Sequence, residues 1–306
     1  MLIAKNLIKK YGNKTIIQGF DLELKSGQIV GFLGPNGAGK TTIMRMLNRI
    51  TLPDSGEVTI DGQKLTQKDL IKIGYMPEEK GLYPQMQVLN QLVYFARLRG
   101  LSKKKALEVS WFWLNKFEMG QYSKHKHSSL SKGNAQKIQF IVTVLHNPDI
   151  LILDEPLSGL DPINADLINT TLQELKKEGK IILFSTHRME QIESICDKII
   201  LLNQGHKIAD GTINELQKPY QNSSLTLNLE KPYNQADFSL ANLEIESIDN
   251  QSINITLGER QSVNQILSYC ISRRIELKGF QKSLPSIKDI FIKLTTADNQ
   301  TLPKQI

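Results

Sequence analysis

An α/β protein with a mostly parallel, covered sheet and a smaller second domain is predicted by three observations. Apolar runs of strand length alternate with helical periodicity between residues 28 and 210, the order that builds a parallel sheet with helices on its faces. A glycine-rich loop, Gly34-Pro35-Asn36-Gly37-Ala38-Gly39-Lys40-Thr41-Thr42, joins the first buried run to the first helix. A polar stretch containing a proline, Gln217 to Ser224, precedes a separate strand and helix pattern and reads as a linker. The 306 residues leave room for two domains, 1–217 and 218–306.

The elements follow in chain order. Leu2 to Leu7 and Thr15 to Leu24 alternate as antiparallel strands around the turn Tyr11-Gly12-Asn13. Gln28 to Leu33 is a buried strand, and Thr41 to Asn48 a helix. Gly56 to Ile60, turned by Asp61-Gly62, and Lys72 to Met76 are further strands. Val88 to Leu98 and Lys104 to Phe117 have helical spacing, so residues 79–147 form a helical insert. Ile150 to Leu153 resumes the parallel core. Helix 163–178, strand 180–185, helix 189–195 and strands 198–203 and 206–210 complete it. Beyond the linker, Leu243 to Ile248 and Ile253 to Leu257 read as a hairpin. Val263, Ile266, Leu267, Cys270 and Ile271 share a helix face, Glu276 to Phe280 is a strand, and Ile287, Ile290, Phe291 and Leu294 face one way on a last helix.

The glycine-rich loop fits the phosphate-binding template G-x-x-x-x-G-K-[ST]. Glycines 34, 37 and 39 allow a tight curl whose N–H groups point at phosphate oxygens, beside the positive end of the new helix. The Lys40 ammonium reaches β- and γ-phosphates, and the Thr41 hydroxyl suits Mg²⁺. Asn36, Ala38 and Thr42 complete the cradle. Asp154 and Glu155 end the apolar run Ile150-Leu151-Ile152-Leu153, at the sheet edge where α/β proteins bind ligands. There Asp154 can hold Mg²⁺, and Glu155 can take a proton from water attacking the γ-phosphate. Leu130-Ser131-Lys132-Gly133-Asn134 opens another helix, with Ser131 as its N-cap and Gly133 permitting close approach. One chain with one complete phosphate loop and a second anion-binding helix end suggests service to a nucleotide held by another copy.

Composition narrows the partners. Hydrophobic content of 40% and charged content of 23% are ordinary for a globular chain. No run approaches the roughly 20 apolar residues that span a bilayer, and Met1 to Lys10 lacks a signal-peptide pattern. A cytoplasmic chain is therefore expected. Cys196 and Cys270 have no ligand-like spacing and read as buried hydrophobes. Residues 79–137 hold eleven basic and three acidic side chains, which accounts for the chain's net charge of +7. That segment attracts an acidic partner, lipid headgroups or phosphates, or is a solvated face. Nucleic acid is not expected, since no aromatic residues are interleaved in a known binding motif.

In these motifs the chain resembles the ATP-binding subunits of ABC transporters, over residues 1 to about 217. Gly34 to Thr42 is similar to the Walker A loop and Leu130 to Asn134 to the signature. Asp154 and Glu155 match Walker B and the catalytic glutamate. Ser158-Gly159-Leu160-Asp161 matches the D-loop, and His187 the switch histidine. Tyr11 sits where the family stacks an aromatic ring on adenine. The resemblance implies a P-loop NTPase cassette with a mixed-sheet core, an antiparallel β subdomain and a helical subdomain, here followed by a small C-terminal α+β domain. It implies ATP and Mg²⁺ as cofactors, catalysis by Glu155, His187 and Lys40, and nucleotide contacts from Asp161, Ser131 and Gly133. It also implies a second cassette, an identical chain being expected, and an integral-membrane permease, with the chain peripheral on the inner face of the cell membrane. Where the family usually has Gln, this chain has Glu78, a candidate for Mg²⁺ or its water; Lys132 and Asn134 replace the usual Gly and Gln. With Tyr75 to Tyr83 and the C-terminal unit, these departures resemble the sodium-extrusion (Nat-type) branch of exporter ATPases. The alternatives are a soluble ABC ATPase acting on a ribosome or DNA, or a low-turnover ATP sensor.

Overall fold

The computed structural model describes residues 1–301 except 80, 187–188, 221–223, 235–237, 239–242, 248, 258–260 and 283. The chain divides into two compact units, Met1–Gly211 and Thr212–Ile306.

The first unit begins with the antiparallel strands β1 (Leu2–Tyr11) and β2 (Lys14–Leu24). After β3 (Gln28–Leu33) and helix α1 (Lys40–Leu47), β4 (Ser55–Ile60) and β5 (Gln63–Lys64) form a second hairpin. Its turn places Asp61 and Gly62 at φ of +49° and +80°, the two left-handed positions a tight hairpin turn demands. The resulting sheet has the order β2-β1-β4-β5.

A second sheet supplies the parallel core. It adds β6 (Ile73–Met76), β7 (Ile150–Asp154), β8 (Ile181–Thr186), β9 (Lys198–Asn203) and β10 (His206–Gly211), in the order β10-β9-β3-β8-β7-β6. Every pairing is parallel except β10 with β9. Strands β7 and β8 are buried at every position, which is why they read as unbroken apolar runs rather than alternating ones. Helix α1 joins the sheets through one apolar cluster. Its Ile43, Met44 and Leu47 share that cluster with Leu2, Leu22 and Val58 of the antiparallel sheet and with Val30, Ile152 and Leu183 of the parallel one.

The predicted insert consists of α2 (Val88–Leu98), α3 (Lys103–Lys116) and α4 (Lys132–Val144). An aromatic chain ties it together: Trp113 lies 6.0 Å from Phe117, and Phe117 lies 5.5 Å from Phe140. Helix α4 sits close on β6, because a Cβ on Gly74 would stand 2.5 Å from the Thr143 carbonyl oxygen. Helices α5 (Pro162–Lys177) and α6 (Met189–Ile195) complete the unit.

The second unit comprises α7 (Ile213–Gln217), β11 (Ser224–Leu229), β12 (Glu244–Ser247), β13 (Ser252–Thr256), α8 (Val263–Ser272), β14 (Leu277–Lys282) and α9 (Ile287–Thr301). Its antiparallel sheet has the order β12-β13-β11-β14. Here two expectations shift. The unit starts at Thr212, not 218: Thr212 and Glu215 form a reciprocal capping box, and Gln217 Nε2 donates to the Pro285 carbonyl at 3.0 Å. The stretch taken as a linker ends in the strand β11, which is central. Its Leu225, Leu227 and Leu229 alternate into the unit's core, a period-two pattern that the preceding polar run conceals. Cys196 and Cys270 are free and buried, as expected. Among the described residues no helix is long and apolar enough to cross a membrane.

The Gly74 contact yields a measurable consequence. Gly74→Ala should cost about 1–3 kcal/mol by overpacking, read as a lower urea midpoint for the first unit. An unchanged midpoint would show that α4 moves off β6 without penalty.

Candidate active site

The parallel register decides which residues meet. Leu33 pairs with Thr186, Asp154 with Ser185 and Met76 with Leu153. The C-terminal ends of β3, β6, β7 and β8 therefore share one edge, and the chemistry-bearing loops all leave from it.

The loop after β3 is shaped by two different demands on glycine. Gly39, at φ +103°, is the N-cap of α1 and turns the chain into the helix. Gly34 has no such backbone; a Cβ there would sit 2.3 Å from the Leu202 carbonyl oxygen. The expectation that Gly34 contributes to the curl is thus corrected: it serves close packing against β9. Its carbonyl accepts a 2.6 Å hydrogen bond from Lys40 Nζ, which also donates to the Pro35 carbonyl at 3.1 Å.

A cleft of about 740 Å³ opens at this edge. Asn36, Gly37, Ala38, Gly39, Lys40, Thr41 and Thr42 line one side. Glu78, Asp154 and Glu155 line another, and Tyr11, Lys14 and Ile16 complete it. Eleven of the expected nucleotide, metal and catalytic residues are thereby brought together; Gly34, Ser131, Gly133 and Asp161 are not among them, and His187 lies outside the described residues. Burial pushes the Lys40 ammonium below its ordinary range, against the upward pull of Glu155, Asp154 and Glu78.

The carboxylates are held individually. Asp154, 1% exposed, accepts from Thr41 Oγ1 at 2.7 Å on one oxygen and from the Ser185 hydroxyl on the other. That hydroxyl in turn accepts the Glu155 backbone N–H at 3.2 Å. Ser185 is a site residue that no motif singles out, although it stands two positions before His187. Glu155 has φ +51°, a left-handed backbone that a non-glycine residue adopts at a cost. Such strain is found where surrounding contacts over-determine a functional geometry. Thr41 and Asp154 together are hard oxygen donors of the kind Mg²⁺ takes. Among the described residues no group of three or more His, Cys, Asp or Glu could hold a metal by itself. A cation here would draw its other ligands from phosphate and water.

Three expected contacts lie elsewhere. Ser131 caps α4, accepting the Asn134 N–H at 3.3 Å; neither it nor Gly133 lines the cleft. Asp161 likewise does not line the cleft and caps α5. Its Oδ1 accepts the Asn164 N–H at 3.0 Å, its Oδ2 accepts from the Asn164 side chain, and Pro162 follows at the first helical position. Those bonds hold its carboxyl below the usual range. His187 lies outside the described residues.

Comparison with known proteins agrees with this geometry. The family profile described as ABC transporter matches residues 17–158, and one described as the DrrA1-3-like C-terminal domain matches 211–295. The uncharacterized ABC transporter ATP-binding protein YhaQ of Bacillus subtilis is 38% identical over 96% of this chain and 98% of its own. The chain belongs to the ABC transporter ATP-binding proteins.

A Nod factor export ATP-binding protein I of Cupriavidus metallidurans is 36% identical over 71% of this chain and 72% of its own. The dimeric post-hydrolysis cassette MJ0796 bound to ADP and Pi superposes with a TM-score of 0.64 at 25% identity, covering 70% of this chain and 99% of that one. This ABC protein is accordingly an ATPase of the cassette fold. Proteins of the family dimerise and act with membrane permeases.

Against the Pro77 side of the cassette lies a smaller cavity, about 150 Å³, lined by Tyr75, Pro77, Arg99, Gln139 and His146 among others. Burial, then the positive charge of Arg99, holds the His146 imidazole down to about 4. The unfolded chain regains a histidine near the ordinary 6.5, so it binds the proton first as pH falls. Stability from neutral His146 is complete above about pH 6.5 and is lost as pH drops towards 4. Thermal melts of the His146→Gln variant should show a shallower loss between pH 6.5 and 4 than the wild type. Parallel curves would remove His146 as a cause.

Proposed function

We propose that this chain closes with a second, identical chain around two ATP molecules and thereby drives a separate membrane permease in export. What supports the reading most is the division of the expected site. The cleft gathers Lys40, Thr41, Asp154 and Glu155, while Ser131 and Gly133 belong to a capped helix start outside it. A helix N-terminus presents unpaired N–H groups that suit an anion. In this reading it serves the nucleotide seated in the partner's cleft.

The roles then follow from position. Tyr11, half exposed at the cleft rim, stacks on adenine. The loop N–H groups and Lys40 bind the β- and γ-phosphates. Thr41 and Asp154, joined by Glu78, hold Mg²⁺, which supplies charge neutralisation on the phosphates when bound. Glu155 takes a proton from water as its oxygen bonds to the γ-phosphorus and the bridging bond to the β-phosphate breaks. His187 lies outside the described residues, and the family resemblance alone assigns it the γ-phosphate contact. Nucleotide acts as a link between the two chains, and its effect on their equilibrium equals its preference for closed over open states. Hydrolysis removes the link.

Outward transport is supported by the likeness to a relative named for export. Na⁺ or a small toxic solute is the cargo class that the Nat-type features suggest, and the chain then works at the inner face of the membrane. One observation favours a second reading. Glu78 faces the cleft beside Asp154 and Glu155, and the added negative charge fits a slow-turnover ATP sensor; a steady-state turnover near zero with permease present would select it.

Lys40→Ala should weaken ATP binding at least tenfold, by loss of a charge-assisted contact; titration with a fluorescent ATP analogue measures this, and wild-type affinity would contradict the phosphate-loop role. Glu155→Gln should lower turnover about a hundredfold or more while ATP still drives dimerisation on a sizing column. Normal hydrolysis by that variant would remove Glu155 from catalysis.

A further inference from the structure

Helix α4 does more than present Ser131 and Gly133. It carries two buried glutamines three residues apart, hence on one face, and each grips a different loop of the cleft. Gln139, 4% exposed, donates from Nε2 to the carbonyls of Pro77 at 2.7 Å and Glu79 at 3.3 Å. Those two carbonyls flank Glu78. Gln136, 7% exposed, donates from Nε2 to the carbonyls of Glu155 at 3.2 Å and Pro156 at 3.1 Å. An amide nitrogen has two protons, so each side chain spends its whole donor capacity bridging a pair of carbonyls. A hydroxyl has one proton to give, and an apolar residue none.

The grips act on the backbone of the two carboxylate loops. Glu78 and Glu79 are exposed and lie beyond the end of β6. Glu155 has the left-handed backbone already described, which its neighbours must hold. Helix α4 is itself fixed: Gly74 lets it lie directly on β6, and Thr143 Oγ1 donates to the Gln139 carbonyl at 2.9 Å. One rigid helix therefore begins at the signature and holds both carboxylate loops.

We propose that Gln139 is a positioning residue for Glu78 in ATP hydrolysis. Together with Gln136 it makes α4 the rod through which the signature end sets the carboxylates of both loops. The inference rests on the cleft being the hydrolytic site proposed above. It assigns Gln139 no contact with nucleotide; the residue acts through the loop it holds.

A double-mutant cycle on the full chain tests it, using Gln139→Met, Glu78→Ala and the combination. Methionine keeps length and bulk but has no proton to donate. Gln139→Met should lower kcat for ATP about tenfold and leave KM within about twofold. Glu78→Ala should change kcat, and adding Gln139→Met to it should change nothing more. Wild-type kcat in Gln139→Met, wild-type kcat in Glu78→Ala, or independent effects in the combination each overturn the proposal. If Gln139→Met is not recovered folded, Gln139→Asn, which keeps the amide but lacks the reach, enters the same cycle. Lys40→Ala separates the two levels of inference. Turnover retained in Lys40→Ala overturns the site and this proposal together, whereas turnover lost there with an additive cycle overturns the positioning role alone.

Discussion

The parallel register of β3, β6, β7 and β8 is the constraint on which the site depends. Pairing Leu33 with Thr186 and Asp154 with Ser185 brings the phosphate loop, both carboxylates and Ser185 to a common edge. A shift of one residue in β7 would turn Asp154 towards the opposite face of the sheet. Burial of β7 and β8 on both faces makes such a slip costly, since every residue of either strand is inside. The apolar runs that look least informative in the sequence are thus what aim the polar residues following them.

Register accounts for placement but not for orientation, which comes from small polar side chains. Ser185 joins β8 to the Walker B end of β7, donating to Asp154 while accepting the Glu155 N–H. Gln136 secures the next peptide. Such buried groups carry weight because an unmade hydrogen bond there leaves a desolvated polar atom. They form a fixed shell around the carboxylates, of which Glu155 has a strained backbone. Preorganisation of this kind places charge before substrate arrives and avoids reorganisation during the reaction.

Most elements were legible because period and punctuation agree. The alternation in Thr15 to Leu24, the helical spacing in Val88 to Leu98 and the turn Asp61-Gly62 each specify local geometry by chain stereochemistry. The loop residues were legible because G-x-x-x-x-G-K-[ST] encodes a backbone shape. What escaped depends on partners distant in sequence. Gln136 and Gln139 resemble ordinary polar helix residues until Pro77 and Glu155 are brought beside them. Gly34 looks like a turn glycine until Leu202 arrives. Asp161 shows the converse. Its Asp-Pro pair, followed by Asn164, is a local capping signal that needs no partner distant in sequence. Strand β11 has a clear alternation, but the polar run before it carries the stronger local signature.

The balance of charge in the cleft shows why neither half of the proposed site suffices. Lys14 and Lys40 face Glu78, Asp154 and Glu155, so carboxylates outnumber ammonium groups before any nucleotide enters. A triphosphate brings several further negative charges and would be repelled by these side chains alone. Three sources can offset that repulsion: backbone N–H groups of the phosphate loop, a divalent cation beside Thr41 and Asp154, and a second helix N-terminus. Only the first belongs to one chain unaided. Replacing the family's usual glutamine with Glu78 raises the demand on the other two, because the added carboxylate lines the same cleft as the phosphate loop. A chain with this charge pattern gains more from metal and from a partner's Ser131-Gly133 end than one with a neutral amide at position 78. Closure should then be coupled more tightly to cation and nucleotide together, and a loop that brings an extra carboxylate into such a site has to be held in place, the task assigned to Gln139.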